Sequence, residues 1–150
     1  DNMRFGYGNG LVVKGKKAIS FKKFLTINSN LVHVSDTWSD LWAVIFYTGQ
    51  SVGRLIDLRY TDIERVSAYL RVKGRIKAKR IELSAPVCAI LERRRETYPQ
   101  DVFVFQSHSN RVKNRDSPVT VIAFNAALRK VSKLATGELA SSKNARKVVV

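Results

Sequence analysis

One cysteine, Cys88, stands in 150 residues. No disulfide can close within the chain, and no Cys/His pairs show the spacing of a zinc site. Apolar runs stay well short of the roughly 20 residues that a membrane span needs. The amino terminus carries no compact hydrophobic block of the signal-peptide kind. Together these absences point to a reducing, intracellular compartment, with a cytoplasmic location and no membrane partner. Cys88 lies between Val87 and Ile90 and reads as a small core residue.

Acidic residues are scarce: 12 Asp and Glu face 27 Lys and Arg, for a net charge of +15. A surplus of that size favours a polyanionic partner, with nucleic acid ahead of acidic lipid. Hydrophobic residues make up 45% of the chain, enough for one domain with a real core.

Residues 1–25 concentrate glycine and lysine (Gly6, Gly8, Gly10, Gly15, Lys14, Lys16, Lys17, Lys22, Lys23) and read as a basic arm or linker. The string GYGNG lacks the following Lys-Ser/Thr of a phosphate loop. A folded body is expected over 26–150. Ser35 or Asp36 caps a helix carrying Trp38, Leu41, Trp42, Ile45 and Phe46. Thr48-Gly49 breaks it, and Val52, Leu55, Ile56 and Leu58 resume at helical spacing before a strand at Ile63.

Tyr69–Val72 and Arg80–Leu83, around a Gly/Lys-rich connection, read as hairpin strands. Ser84 and Pro86 open a helix that reaches about Tyr98, with Arg93, Arg94 and Arg95 expected on a solvated face. Val102–Phe105 is a short buried segment and Ser107–Asp116 a polar loop. Ser117-Pro118 is expected to start the longest helix, buried along Val121, Ile122, Phe124, Ala127, Leu128, Val131 and Leu134, with Gly137 ending it.

The stretch Trp42–Ile63, WAVIFYTGQSVGRLIDLRYTDI, resembles a segment of the tyrosine recombinases, the phage-integrase family, which reads roughly T-G-x-R-x-x-E-L-x-x-L-x-x-x-D-I. Thr48, Gly49, Leu55, Leu58, Asp62 and Ile63 fit that pattern. The hairpin, the Ser84 helix, the Val102–Phe105 segment and the Ser117 helix follow in the family's order. Ser142-Lys143-Asn144-Ala145-Arg146-Lys147 then lies where the family has H-x-x-R. The resemblance covers about residues 24–150 and implies a mostly α fold with a small antiparallel β-sheet (α+β).

The same resemblance implies a function and a site: breaking and rejoining of double-stranded DNA through a 3′-phosphotyrosine, without metal or other cofactor. Two arginines would fork onto the non-bridging oxygens of the phosphodiester and stabilise its developing charge. A hairpin lysine, Lys77 or Lys73, would serve the leaving oxygen as general acid, and Lys143 would stand in the histidine place. Arg146 is the second arginine. Ser51, however, occupies the place of the first arginine, and Arg54 that of an acidic residue.

All five tyrosines precede Lys143, whereas the family's nucleophile follows that motif. Tyr47 and Tyr60 are read as core residues. Arg54, Arg71, Lys73, Arg75, Lys77, Lys79 and Arg80 are the expected DNA-binding set, with a structural contact left open for Arg54. The chain thus reads as a DNA-binding integrase fragment inactive by itself, monomeric in isolation and associated with the nucleoid. A non-catalytic regulatory module and a basic RNA-binding domain stand as alternatives.

Overall fold

Helix α1 (Phe21–Leu31) begins where Ser20 accepts a hydrogen bond from the Lys23 amide at 3.1 Å. Ser35 does the same for α2 (Asp36–Thr48), through the Thr37 amide at 3.1 Å. Each cap satisfies one of the orphan amides of a first helical turn. Phe24, Ile27 and Leu31, spaced three and four apart, form the buried stripe of α1. They meet Trp42, whose indole Nε1 donates to the Phe24 carbonyl at 3.1 Å. The Phe24 and Trp42 rings stack at 5.3 Å. The structure is a computed structural model and describes residues 18–109 and 116–149; most of the expected basic arm and the middle of the polar loop lie outside them.

Helix α2 is buried on more than one side, through Leu41, Trp42, Val44 and Ile45, and serves as the axis of the core. It packs on α1, on α3 (Val52–Leu55), on α4 (Ala85–Thr97) and on α6 (Ser142–Ala145). The longest helix, α5 (Val121–Thr136), packs on α1. Gly49 ends α2 at φ +68° and Gly137 ends α5 at φ +78°, the left-handed geometry that glycine adopts without a Cβ clash.

The first strand, β1 (Ile19–Ser20), pairs in parallel with the last, β5 (Val148–Val149), Ile19 opposite Val148. Between them β2 (Ile63–Glu64), β3 (Ser67–Leu70) and β4 (Lys79–Glu82) form an antiparallel sheet in that order. Tyr69 faces Arg80 across it, while Ala68 and Leu70 point into the core. The chain is mostly helical with a small antiparallel sheet, as the resemblance implied.

Several expectations are corrected. Residues 18–25 belong to the folded body rather than to an arm, because Ile19–Ser20 pairs with β5 and Phe24 is core. Helix α5 starts at Val121, capped by Thr120 Oγ1 on the Ala123 amide, while Pro118 bridges to Gln106 in an extended segment. Ile122 is 83% exposed and Leu134 80%. Phe124, Leu128 and Val131 are buried as expected and Ser132 completes the stripe, with Ser132 Oγ accepting from the Ala140 amide at 2.8 Å. Tyr47 is exposed rather than core.

Of the arginines of α4, Arg93 and Arg95 are exposed as expected, but Arg94 is not part of a solvated face. Arg94 is fully buried: its Nε donates to the Val104 carbonyl at 2.8 Å, Nη1 to Asp40 at 3.0 Å and Nη2 to Thr37 Oγ1 at 3.0 Å. Arg93 also donates to Asp40, whose carboxylate raises the Arg93 pKa. Arg95 donates to the Asp101 carbonyl at 2.6 Å and covers the Tyr60 ring at 4.4 Å. A buried guanidinium is tolerable because its donors are met.

Candidate nucleic-acid interface

The turn from Thr48 to Gly53 is the hub of the candidate site. Val44–Thr48 ends α2 with Thr48 Oγ1 donating to the Val44 carbonyl at 2.7 Å and accepting from the Gln50 amide at 3.2 Å. Ser51 then caps α3: its carbonyl accepts from the Arg54 and Leu55 amides, but its hydroxyl makes no capping bond. Ser51 is partly exposed.

Two distant elements reach this turn. Arg146, at the carboxyl end of α6, donates from Nε to the Gly49 carbonyl at 2.7 Å. Helix α6 is held by its own capping box, Ser141 with Asn144, and by Asn125 Oδ1, which accepts from the Ser142 amide at 2.9 Å. From the hairpin, Lys73 Nζ donates to the Gly53 carbonyl at 2.6 Å and pairs with Asp57 at 2.9 Å. The fold therefore brings Ser51, Lys73 and Arg146 to one short stretch of backbone. Lys143 is exposed on α6, three residues before Arg146.

Arg54 turns inward. It is 8% exposed, and its Nη2 donates to three hairpin carbonyls: Leu70 at 3.2 Å, Arg71 at 3.1 Å and Lys77 at 2.9 Å. Its Nε is buried without a partner. This guanidinium holds the hairpin and does not face solvent, so of the two roles left open for Arg54 the structure supplies the structural contact.

The other basic residues of the hairpin divide into two sets. Arg71 donates three bonds to the buried carboxylate of Asp62, at 2.9 to 3.2 Å; those bonds raise its pKa. Arg80 reaches Ser67 Oγ at 3.1 Å and lies over Tyr69. The side chains of Arg75, Lys77 and Lys79 are exposed and, like that of Lys143, form no hydrogen bond or ion pair among the described residues. Arg75 sits with Gly74 in a two-residue turn closed by Lys73 and Ile76, bonded both ways at 3.0 and 2.9 Å. Gly74 has φ +58°, the glycine-first pattern of a type II′ hairpin.

Chemically the site offers an exposed array of ammonium and guanidinium groups over a helix-turn-helix junction, suited to a phosphate backbone. Position 51, where the resemblance implies a guanidinium, carries a serine hydroxyl. Among the described residues no three His, Cys, Asp or Glu side chains gather as a metal site would require. Nothing in the local sequence marked Asp57 or Asp62 as partners of Lys73 and Arg71, because those pairs join residues 16 and 9 positions apart.

No protein-family model matches the chain, and no curated protein sequence matches it. Solved structures do. A lambda integrase fragment (residues 75–356) in a dimer bound to a COC′ core site superposes with a TM-score of 0.71 at 15% identity, covering 91% of this chain and 51% of that one. The lambda integrase catalytic core gives 0.70 at 15% identity, over 86% of this chain and 78% of that one. XerA recombinase gives 0.61 at 18% identity, over 86% and 47%. Against a longer lambda integrase chain the coverage falls to 39% of that chain. With its helical body, small antiparallel sheet and element order, the chain has the fold of the tyrosine recombinase catalytic domain.

Proposed function

We propose that this chain binds double-stranded DNA as the partial catalytic domain of an integrase or site-specific recombinase, and that these 150 residues do not cleave DNA by themselves. The observation that carries the reading is the Arg146–Gly49 contact at 2.7 Å, with Lys73 anchored on Gly53 of the same turn. It joins three sequence-distant elements that the resemblance assigns to one phosphate site. The structural neighbours include integrases and a recombinase bound to DNA or to a Holliday junction, and the net charge of +15 suits the same partner.

Within the proposal, Arg146 is the remaining guanidinium for a non-bridging phosphate oxygen, Lys143 its cationic neighbour, and Arg75, Lys77 and Lys79 the backbone contacts of the hairpin. Ser51 supplies one neutral donor where a forked cation is needed. The loss of one such clamp costs about 2.7–4 kcal/mol of transition-state stabilisation. No tyrosine follows Arg146 in this sequence, so no residue of it occupies the family's nucleophile place. The domain is monomeric in solution, assembles further only on DNA, and works on nucleoid DNA or that of a mobile element.

Titration of a duplex and of a structured RNA across a salt series tests this. Duplex binding should weaken with a log–log slope of about −0.9 for each phosphate contact. RNA bound as tightly as duplex, or more tightly, overturns the reading in favour of an RNA-binding domain. A suicide duplex substrate should leave no covalent adduct; an adduct overturns the non-cleaving assignment.

A further inference from the structure

The hairpin and α3 are joined by two cation-to-backbone contacts running in opposite directions. Arg54 reaches out of α3 and grips carbonyls on both sides of the hairpin loop, at Leu70 and Arg71 before it and Lys77 after it. Lys73 reaches back from the loop and grips Gly53 and Asp57. The seam bounded by Arg54, Asp57, Asp62, Leu70 and Lys73 is narrow, with room for about one water. Relative to the Ser51 turn, the loop is therefore fixed at its base and along one flank.

The two candidate hairpin lysines, Lys73 and Lys77, fare differently in this arrangement. The Lys73 ammonium is already held by a carboxylate and a carbonyl. Lys77 has its own carbonyl pinned by Arg54 at 2.9 Å, while its side chain is exposed and forms no bond among the described residues. A fixed peptide with an unengaged ammonium is the arrangement that a phosphate contact requires, since little ordering is left to occur on binding.

We propose that Arg54 is a positioning residue: from inside the domain it fixes the peptide of Lys77, so that Lys77 rather than Lys73 is the hairpin lysine presented to DNA phosphate. This rests on the DNA-binding reading above. It goes beyond that reading in giving the arginine at 54 a task for which an acidic side chain, surrounded by the same three carbonyls, is unsuited. A lysine at 54 meets the requirement in outline, because one ammonium carries three N–H donors.

The experiment uses the whole 150-residue chain, with amide hydrogen exchange and duplex binding measured on the same proteins. In Arg54→Met the amides of Lys73 and Ile76, which close the loop turn, should lose about tenfold in protection, while those of α2 keep theirs. The log–log salt slope should fall by about 0.9, one phosphate contact. Lys77→Gln should produce the same fall in the wild-type background and little further fall in Arg54→Met, a non-additivity that a purely structural Arg54 would not produce. Arg54→Lys should restore both protection and slope.

Unchanged protection at Lys73 and Ile76 in Arg54→Met overturns the positioning role, whatever the DNA result. Additive slopes for the two substitutions, or a slope loss in Lys73→Gln but not in Lys77→Gln, overturn the choice of Lys77. If Arg54→Met also loses α2 protection, Arg54→Lys decides the matter: retained turn protection and slope support the proposal, and their loss overturns it. Failure of wild-type protein to bind duplex overturns the DNA reading alone, because the exchange comparison is made without DNA.

Discussion

Arg94 shows how much a single charged side chain can hold together here. It joins α4 to α2 through Asp40 and Thr37, and to the Val102–Phe105 segment through the Val104 carbonyl. Arg94→Met leaves Asp40 with Arg93 alone and strips Thr37 and Val104 of their donor. It should destabilise the fold by about 3 kcal/mol, read as a lower urea midpoint; a loss below 1 kcal/mol would mean that Arg93 compensates. Arg54→Glu should be comparably harmful, by about 3–5 kcal/mol, because it sets a carboxylate among three carbonyl oxygens.

Tyr98 gives a pH signature. Burial first, and then its hydrogen bond to Asp36 at 2.8 Å, push its pKa up to about 12. A pKa raised by folding means stabilisation that is complete below the unfolded value of 10.0 and fades as pH rises from there toward 12. Tyr98→Phe should cost about 1–2 kcal/mol at neutral pH. It should also flatten the fall of the melting temperature between pH 10 and 12; an unchanged alkaline slope would assign that fall to other groups.

Among the elements, the α2–α3 turn and the hairpin carry the candidate site, and both depend on glycine at a positive φ. Gly49→Ala meets no neighbouring atom within 4 Å but must adopt φ +68°, at about 1 kcal/mol. Since Arg146 grips the Gly49 carbonyl, duplex affinity should fall by more than that stability loss implies, an outcome that parallel melting and binding curves would check. Much of this level was readable in advance. The cap at Ser35, glycine stops at 49 and 137, and the two hairpin strands are local effects with short-range signatures. Ile122 and Leu134 misled because apolar residues on a basic helix need not lie on its buried stripe; Ser132 took that place through its bond to Ala140.

For the molecule as a whole, charge and fold point the same way. An added cation at the surface of the turn is the direct test of whether that turn meets phosphate. Ser51 is partly exposed and its hydroxyl caps nothing, so Ser51→Arg should leave stability within about 0.5 kcal/mol. It should tighten duplex binding and steepen the log–log salt slope by about 0.9. An unaltered slope would show that position 51 does not face the DNA backbone.

Composition and local pattern by themselves determined the positive charge, the main helices and the hairpin, because periodicity, capping and turn chemistry act over a few residues; the fold class and the motif positions at 48–63 and 143–146 came from the family resemblance. Only the tertiary structure decided which cations are available. Arg54, Lys73 and Arg71 look alike in the sequence as basic residues of a DNA-binding set. In the fold, the first is spent on three carbonyls, the second on Asp57 and Gly53, and the third on Asp62. Desolvation makes a guanidinium or carboxylate seek its partner wherever packing brings the two together, at separations no linear pattern records.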